Sequence, residues 1–411
     1  MQSKNQLRVS YATALHDEKE TNRVLNVLKE HRTLLGKETK EFEERTAKLF
    51  GRKFSVMVNS GSSANLLALE LLNLPKGSEV ITPLLTFSTT VAPLIQKGLV
   101  PVFTDVELGK YQINIDHIEQ LITKKVKALV IPLLLGNLPD LKRLQNIAKK
   151  NNLSFILDSC DTFASSYDEK PSGDYSDIVT TSFYGSHIIT AGGGGGMVLF
   201  DQSKWINQAR ILRGWGRDSS IFGDSEDIKK RFSTKIGGLQ YDAKFIFSEI
   251  GYNFLPTEMG SAFGNAQLDK IKHFKSIRKQ NFKKLYSFFT KYSSLFHLPI
   301  QDERAETSWL AFPLMIKDVS PFTRLQLVTY LEQNNIQTRP IFTGNILRQP
   351  GFSRIPHKLL PKYNYPITNA IMERGFIIGC HHGLTEKHLT KIRKVFDEFI
   401  KQFKTSSKNV S

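Results

Sequence analysis

Between about residues 50 and 200, seven short apolar runs alternate with stretches of helical periodicity. The runs are 54–58, 79–82, 100–104, 126–131, 153–157, 177–181 and 197–200. Most are rich in Val, Ile, Leu and Phe without polar alternation, as strands covered on both faces read. Between them, 118–122 and 141–148 space apolar residues as helices do. Such alternation predicts an α/β domain on a mainly parallel sheet. Sheets of this kind hold ligands at the carboxyl ends of their strands.

After about residue 260 the pattern changes. Ala262, Phe263, Ala266, Leu268, Ile271 and Phe274 carry helical periodicity that leads out of the first domain. Beyond it come a strand-like 309–316, a helix near 325–334 and a C-terminal helix over 386–403. The chain therefore divides into a large α/β domain with an N-terminal helical arm, 1–275, and a smaller α+β domain, 276–411. The tail 405–411 is polar and reads as frayed.

With 40% hydrophobic and 23% charged residues, neither a disordered nor a fibrous chain is expected. No apolar stretch has the length to cross a bilayer, and Met1–Gln6 lacks an apolar signal-like core, so the expected location is the cytoplasm. The net charge of +17 could attract a polyanion, yet the lysines are scattered rather than gathered in one arm. A lysine-rich surface, or a basic cleft for a diphosphate-bearing substrate, explains the charge without nucleic acid. Two cysteines, Cys160 and Cys380, make neither a disulfide framework nor a metal-binding pair.

Four segments carry candidate chemistry. Asn59-Ser60-Gly61-Ser62-Ser63-Ala64-Asn65 lies between a strand and an apolar helix. A glycine-containing turn that opens a helix offers free N–H groups and a positive dipole end to an anion. Ser62 and Ser63 add hydroxyls, although the same run would also serve as an ordinary N-cap. Asp158 ends a buried strand, and Asp161 follows it. A carboxylate there suits a ring nitrogen that must stay protonated, or a helix N-cap. Phe87 follows the second strand, where an aromatic ring could stack on a ligand or join the core. Asn253, in Gly251-Tyr252-Asn253-Phe254, would by itself be a turn residue. The tract Gly192 to Gly196 precedes a strand, whereas a dinucleotide loop follows one, so that reading fails. His381-His382 has no partner at ligand-like spacing and reads as structural or substrate-adjacent.

The run Thr181-Ser182-Phe183-Tyr184-Gly185-Ser186-His187, followed by the glycines, resembles the cofactor-lysine segment of the DegT-type sugar-nucleotide aminotransferases. That resemblance extends from about Gly36 to the C-terminal helix, through Val58 to Ala68, Gly136-Asn137-Leu138, Arg213-Gly214-Trp215-Gly216-Arg217-Asp218, Phe342-Thr343-Gly344-Asn345 and Arg348-Gln349-Pro350. It implies the pyridoxal phosphate-dependent fold type I: three αβα layers around a mainly parallel seven-stranded sheet, plus the small domain. His187 stands where such aminotransferases carry lysine, and an imidazole can move a proton but cannot form a Schiff base. The resemblance is therefore to the subgroup of 4-keto-6-deoxyhexose 3-dehydratases within that family.

For this chain the resemblance implies pyridoxal 5'-phosphate and pyridoxamine 5'-phosphate as cofactor forms, glutamate as amino donor and a nucleotide-linked sugar as substrate. His187 would be the acid–base group. Gly61, Ser62, Ser63, Phe87, Asp158, Asp161 and Ser182 would bind the cofactor. Asn253 would reach the partner's cofactor phosphate in a homodimer with shared active sites. Some relatives hold an iron–sulfur centre on cysteines after the Trp-Gly-Arg-Asp stretch; here Ser219 to Asp224 contains none, so no cluster is expected. Gly193 and Leu255 depart from the glutamate and arginine frequent in relatives. A conventional aminotransferase with a displaced lysine (Lys170 and Lys204 are nearest) and a non-catalytic cofactor-binding regulator are the alternatives.

Overall fold

The seven apolar runs are the seven strands of one sheet in the computed structural model, which describes residues 7–222 and 227–406. Readings that fall on Met1–Gln6, on Gly223 and Asp224, and on 407–411 lie outside the described residues. The strands are β1 (Phe54–Val58), β2 (Glu79–Pro83), β3 (Val100–Thr104), β4 (Val126–Pro132), β5 (Ser154–Asp158), β6 (Ile178–Ser182) and β7 (Gly196–Phe200). Their order is β1-β7-β6-β5-β4-β2-β3. Only β7 runs against its neighbours, pairing antiparallel with both β1 and β6; the remaining pairs are parallel.

The strands look uniformly apolar because each face has its own core. Val56, Val58, Val80, Ala128, Val130, Ile156, Ile178 and Val198 pack beneath α3 (Gly61–Leu72) and α7 (Lys204–Arg213). The alternate residues Met57, Ile81, Leu129, Ile131, Phe155, Leu157, Val179 and Met197 meet Phe42 of α2 (Lys37–Leu49) and the first half of α9 (Glu258–Thr290). A one-residue slip would exchange the two cores, so register is firmly specified. Each fully buried aliphatic or aromatic side chain contributes about 1.5–3 kcal/mol.

The second core belongs to a four-stranded antiparallel sheet of β8 (Phe296–His297), β9 (Phe312–Ile316), β10 (Thr338–Arg339) and β11 (Gly375–Ile378), in the order β8-β9-β11-β10. Helices α10 (Arg324–Gln333), α11 (Pro366–Arg374) and α12 (Glu386–Ser406) accompany it. The expected domain boundary falls inside α9. Leu268, Ile271 and Phe274 of that helix belong to the first core, while Leu285 and Phe289 belong to the second.

The chain's beginning also splits. Helix α1 (Glu18–Lys29) packs on α9, where Lys270 bridges the buried Glu20. Val9 instead sits in the small-domain core, its N–H donating to Asn335 O and its carbonyl accepting from Gln337 N, both at 2.8 Å. Among the described residues no helix is long and apolar enough to cross a membrane.

Candidate active site

A cleft of about 670 Å³ opens where the carboxyl ends of β1, β4, β5 and β6 face the small domain. The turn after β1 supplies Ser60, Gly61 and Ser62. The chain after β4 supplies Leu133 and Leu134, and β5 and its continuation supply Asp158, Cys160 and Asp161. Ser182 and His187 come from β6 and the turn beyond it. Phe87 stands over the opening.

Ser60 caps α3 by accepting from Ser63 N at 3.1 Å. Ser63 Oγ donates to Asn59 Oδ1 at 2.6 Å, which commits that hydroxyl. The exposed Ser62 remains on the cleft wall beside the start of the helix. Glycine is required at 61 because a Cβ there would lie 2.6 Å from Ser182 Cβ. At Gly196 a Cβ would lie 2.3 Å from Ser60 O, so the end of the glycine tract lets β7 pass against the turn after β1.

Asp158 is buried and held from three sides. Asn65 Nδ2 and Thr90 Oγ1 each donate to Oδ2 at 2.9 Å, and Cys160 N donates to Oδ1 at 3.2 Å. Thr180 Oγ1 donates in turn to Asn65 Oδ1 at 2.5 Å, so the carboxylate has a fixed orientation. Three residues on, Asp161 Oδ2 accepts from Leu135 N at 3.0 Å. Burial, reinforced by the charge of Asp158, raises the Asp161 carboxyl to about 7. Burial and the same charge push the Cys160 thiol well up, leaving it a small, unreactive wall residue.

His187 is half-buried, with its Nδ1 3.3 Å from Ser182 O. That carbonyl can only accept, so the Nδ1–H tautomer is selected and Nε2 keeps its lone pair. Nε2 lies 4.0 Å from Asp161 Oδ1. Burial lowers the imidazole to about 4, and it is therefore neutral near pH 7. A neutral imidazole with its free nitrogen facing a cleft can take up and return a proton.

Gly61, Ser62, Phe87, Asp158, Asp161, Ser182 and His187 thus converge on one cleft. Two candidates stand apart from its lining. Ser63 is turned to Asn59, and Asn253 is exposed beside the turn, its carbonyl 3.4 Å from Asn59 Nδ2. Sequence reasoning missed Asn65 and Thr90, which orient Asp158, although Asn65 lay within the quoted motif. It also missed the small-domain wall of Tyr11, Arg339, Phe342 and Gln349. Neighbouring runs beginning at Phe342 and Arg348 were the available signal for the last two. His381 and His382 are structural: His382 stacks on Phe274 at 3.9 Å and accepts from Arg278 Nε at 3.2 Å.

The site's parts fit a phosphate-bearing aromatic cofactor. A helix start bears Ser62, a buried oriented carboxylate lies deeper in the cleft, and Phe87 keeps half its surface free at 51% exposure. Fold and cleft together are those of the pyridoxal phosphate fold type I enzymes. An E. coli GDP-4-keto-6-deoxy-D-mannose-3-dehydratase with bound hydrated PLP superposes with a TM-score of 0.84 at 28% identity, over 95% of this chain and 100% of that one.

The DegT/DnrJ/EryC1/StrS aminotransferase family model matches residues 15–397, and the chain belongs to that family. It is 38% identical over 370 residues to the lipopolysaccharide biosynthesis protein RfbH of Salmonella typhimurium, covering 87% of this chain and 84% of the relative. It is 36% identical over 400 residues to a dTDP-4-dehydro-2,6-dideoxy-D-glucose 3-dehydratase of Saccharopolyspora spinosa, covering 94% and 85%.

Proposed function

We propose that the chain is a pyridoxal/pyridoxamine phosphate-dependent 3-dehydratase of a nucleotide-linked 4-keto-6-deoxyhexose, with glutamate as amino donor, serving deoxysugar synthesis for lipopolysaccharide O-antigen or a similar glycan. One observation carries the reading. His187 stands in the cleft wall at the family's lysine position, and no lysine is among the described residues lining that cleft. Lys170 lies on the short strand Lys170–Pro171, and Lys204 opens α7 with its ammonium over Trp205. Neither lines the cleft, which disfavours a conventional aminotransferase.

In this reading Gly61 and Ser62 would hold the cofactor phosphate, Phe87 would cover the ring, and Asp158 would keep the ring nitrogen protonated. When bound, the ring supplies an electron sink next to the reacting amine. His187 Nε2 takes up a proton and, once charged, returns it to the hydroxyl leaving sugar carbon 3. Asn65 and Thr90 keep Asp158 pointed at its partner. Ser182 O keeps the proton on Nδ1, so that Nε2 stays free. Hydrolysis would then yield ammonia and a 3-deoxy-4-keto sugar; the two electrons that replace the C3 hydroxyl by hydrogen come from glutamate, which leaves as 2-oxoglutarate.

A homodimer is part of the same proposal. Ile236, Leu239, Tyr241, Phe245, Phe247 and Ile250 are all exposed within one segment, and Ile250 is 96% exposed. Apolar side chains gathered in this way suit a second copy, and Asn253 lies just beyond them at the turn after β1. The decisive assay offers GDP-, CDP- and dTDP-linked 4-keto-6-deoxyhexoses with glutamate, and follows 3-deoxygenation and ammonia release. Transfer of the amino group to the sugar, without ammonia, would replace the dehydratase by an aminotransferase. Tight cofactor binding with no reaction of glutamate would leave a regulator.

A further inference from the structure

The chain from Phe342 to Thr368 lies in the smaller domain by sequence, yet much of it packs against the larger one. Ile346, Leu360 and Tyr365 are buried in the first core, and Phe352, Ile355 and Tyr363 rest against it. Backbone bonds repeat the pattern. Lys358 N donates to Pro101 O and Phe103 N donates to Lys358 O, both at 2.9 Å, so the segment covers the free edge of β3. The Lys358 ammonium meets the buried Glu79 at 2.6 Å.

Both ends of the segment are moored to the large domain. Near its start, Thr343 Oγ1 donates to Thr86 O at 2.6 Å, beside Phe87. At its end stands Asp105, fully buried just beyond β3. Thr368 N and Oγ1 donate to Asp105 Oδ1 at 2.8 and 2.6 Å. Ile367 N and Tyr363 OH donate to Oδ2 at 3.1 and 3.2 Å. A carboxylate of the large domain thus satisfies the first turn of α11, whose leading N–H groups have no partners within the helix.

From Asp105 a line of hydrogen bonds returns to the cleft. Asn369, the next residue of α11, accepts on Oδ1 from Asn345 Nδ2 at 2.8 Å. Asn345 Oδ1 accepts from Leu347 N at 3.0 Å and so shapes the turn that follows it. Gln349 closes that turn, its N donating to Ile346 O at 3.0 Å and its Nε2 donating to Thr343 O at 2.8 Å. Phe342, Thr343 and Gln349 line the cleft, whereas Asp105 does not.

We propose that Asp105 is a positioning residue for the sugar nucleotide: through α11 and Asn345 it holds the wall of Phe342, Thr343 and Gln349 at a set distance from Phe87. The identity of the ligand rests on the function given above, while the mooring is a property of the chain alone. A wall fixed in this way is formed before the ligand arrives, so binding does not have to order it.

The test pairs kinetics with hydrogen exchange on the full chain. Asp105→Asn replaces one acceptor by a donor that faces an N–H of α11, and Tyr363→Phe removes a single bond. With the sugar nucleotide that the parent turns over, KM should rise about tenfold for Asp105→Asn and about two- to threefold for Tyr363→Phe. The kcat per folded site should stay as it was. A merely structural role would instead lower the folded fraction, and with it the apparent kcat, at constant KM. In the cofactor-free chain, residues 342–352 should exchange about tenfold faster in Asp105→Asn than in the parent, with 154–182 unchanged. Should Asp105→Asn not fold, Tyr363→Phe and Thr368→Val, each lacking one hydroxyl, decide by the same two measurements.

An unchanged KM in folded variants, a fall in kcat at constant KM, or exchange over 342–352 equal to that of the parent overturns the positioning role. Failure of the parent to turn over any 4-keto sugar nucleotide would instead overturn the functional reading, and hydrogen exchange would still decide for or against the mooring.

Discussion

The two walls of the cleft are made differently. The large-domain wall consists of strand ends and the turns that follow them, so Ser60 to Ser62, Asp158 to Asp161 and Ser182 to His187 each arrive as a short contiguous run. The small-domain wall collects Tyr11, Leu310, Arg339, Phe342, Gln349 and Ile377, drawn from positions across most of the chain. Under the proposed function the first wall carries the groups that would orient a ring and move a proton. The second carries an exposed cation and aromatic surface. That proposal separates chemistry from recognition by domain, and under it substitutions on the two walls should fail in different ways.

The largest effect should come from His187→Asn. Dehydration should fall by ~10²–10⁴-fold, the usual loss for a general acid–base group. Cofactor affinity, read by absorbance titration, should hardly change, because the residues proposed to hold the phosphate and ring are others of the same cleft. An unchanged rate would remove His187 from the chemistry and erase the distinction between the walls.

Next is Gly196→Ala, which tests whether the large-domain wall depends on close backbone approach. The added Cβ would sit 2.3 Å from Ser60 O and 2.4 Å from Ser60 C, backbone atoms that cannot turn aside. A cost of about 3 kcal/mol is expected in denaturant unfolding. Gly192→Ala, with nothing within 4 Å but a φ of +72°, should cost only about 1 kcal/mol. Equal costs would show that backbone conformation, not the packing of β7 on the turn, governs the tract.

Asp161→Asn sharpens the electrostatics of that wall. The folded carboxyl is raised from 3.8 to about 7, so its proton is bound more tightly in the native than in the unfolded chain. Its contribution to stability is full below pH 3.8 and is lost as pH rises through 7. The asparagine variant, which does not titrate, should therefore gain on the parent by about 2 kcal/mol between pH 5 and pH 8 in the cofactor-free protein. The His187 imidazole, lowered from 6.5 to about 4, works in the opposite sense: its contribution is present above 6.5 and lost as pH falls through 4. A relative gain for Asp161→Asn on acidification would contradict the raised carboxyl.

The smallest expected effect is on the second wall. Phe342, whose ring meets that of Phe87 edge-on at 6.4 Å, contacts the cleft without a titratable group. Phe342→Ala should raise KM for the sugar nucleotide several-fold, about 1 kcal/mol, and leave kcat nearly unchanged. A fall in kcat with constant KM would place Phe342 with the chemical wall.

How much was legible follows the same division. The seven strands could be read because parallel strands covered on both faces are apolar runs, and chain order brings their ends together. Asp158 and His187 were legible because each lies at or just beyond such an end. Asn65 was visible in its motif, yet its task of holding Asp158 Oδ2 depends on a contact across 93 positions. Ser63 was read as a binding hydroxyl; that its Oγ donates to Asn59 Oδ1 is a local contact the motif did not announce. Tyr11 and Arg339 gave no signal at all. Their meeting depends on Val9 adding itself beside Ile336, and nothing in either segment's composition announces that pairing.

By itself, then, the sequence determined the α/β class, the mainly parallel sheet and the presence of a histidine, not a lysine, just beyond the sixth strand. These are encoded by periodicity and by residue type at strand ends, which are local properties. Tertiary structure alone decided the tautomer of His187, the burial that keeps it neutral, the three donors that orient Asp158 and the convergence of Tyr11 with Arg339. Each of these depends on distance and desolvation between residues far apart in the chain, and those quantities exist only once both cores have closed around the cleft.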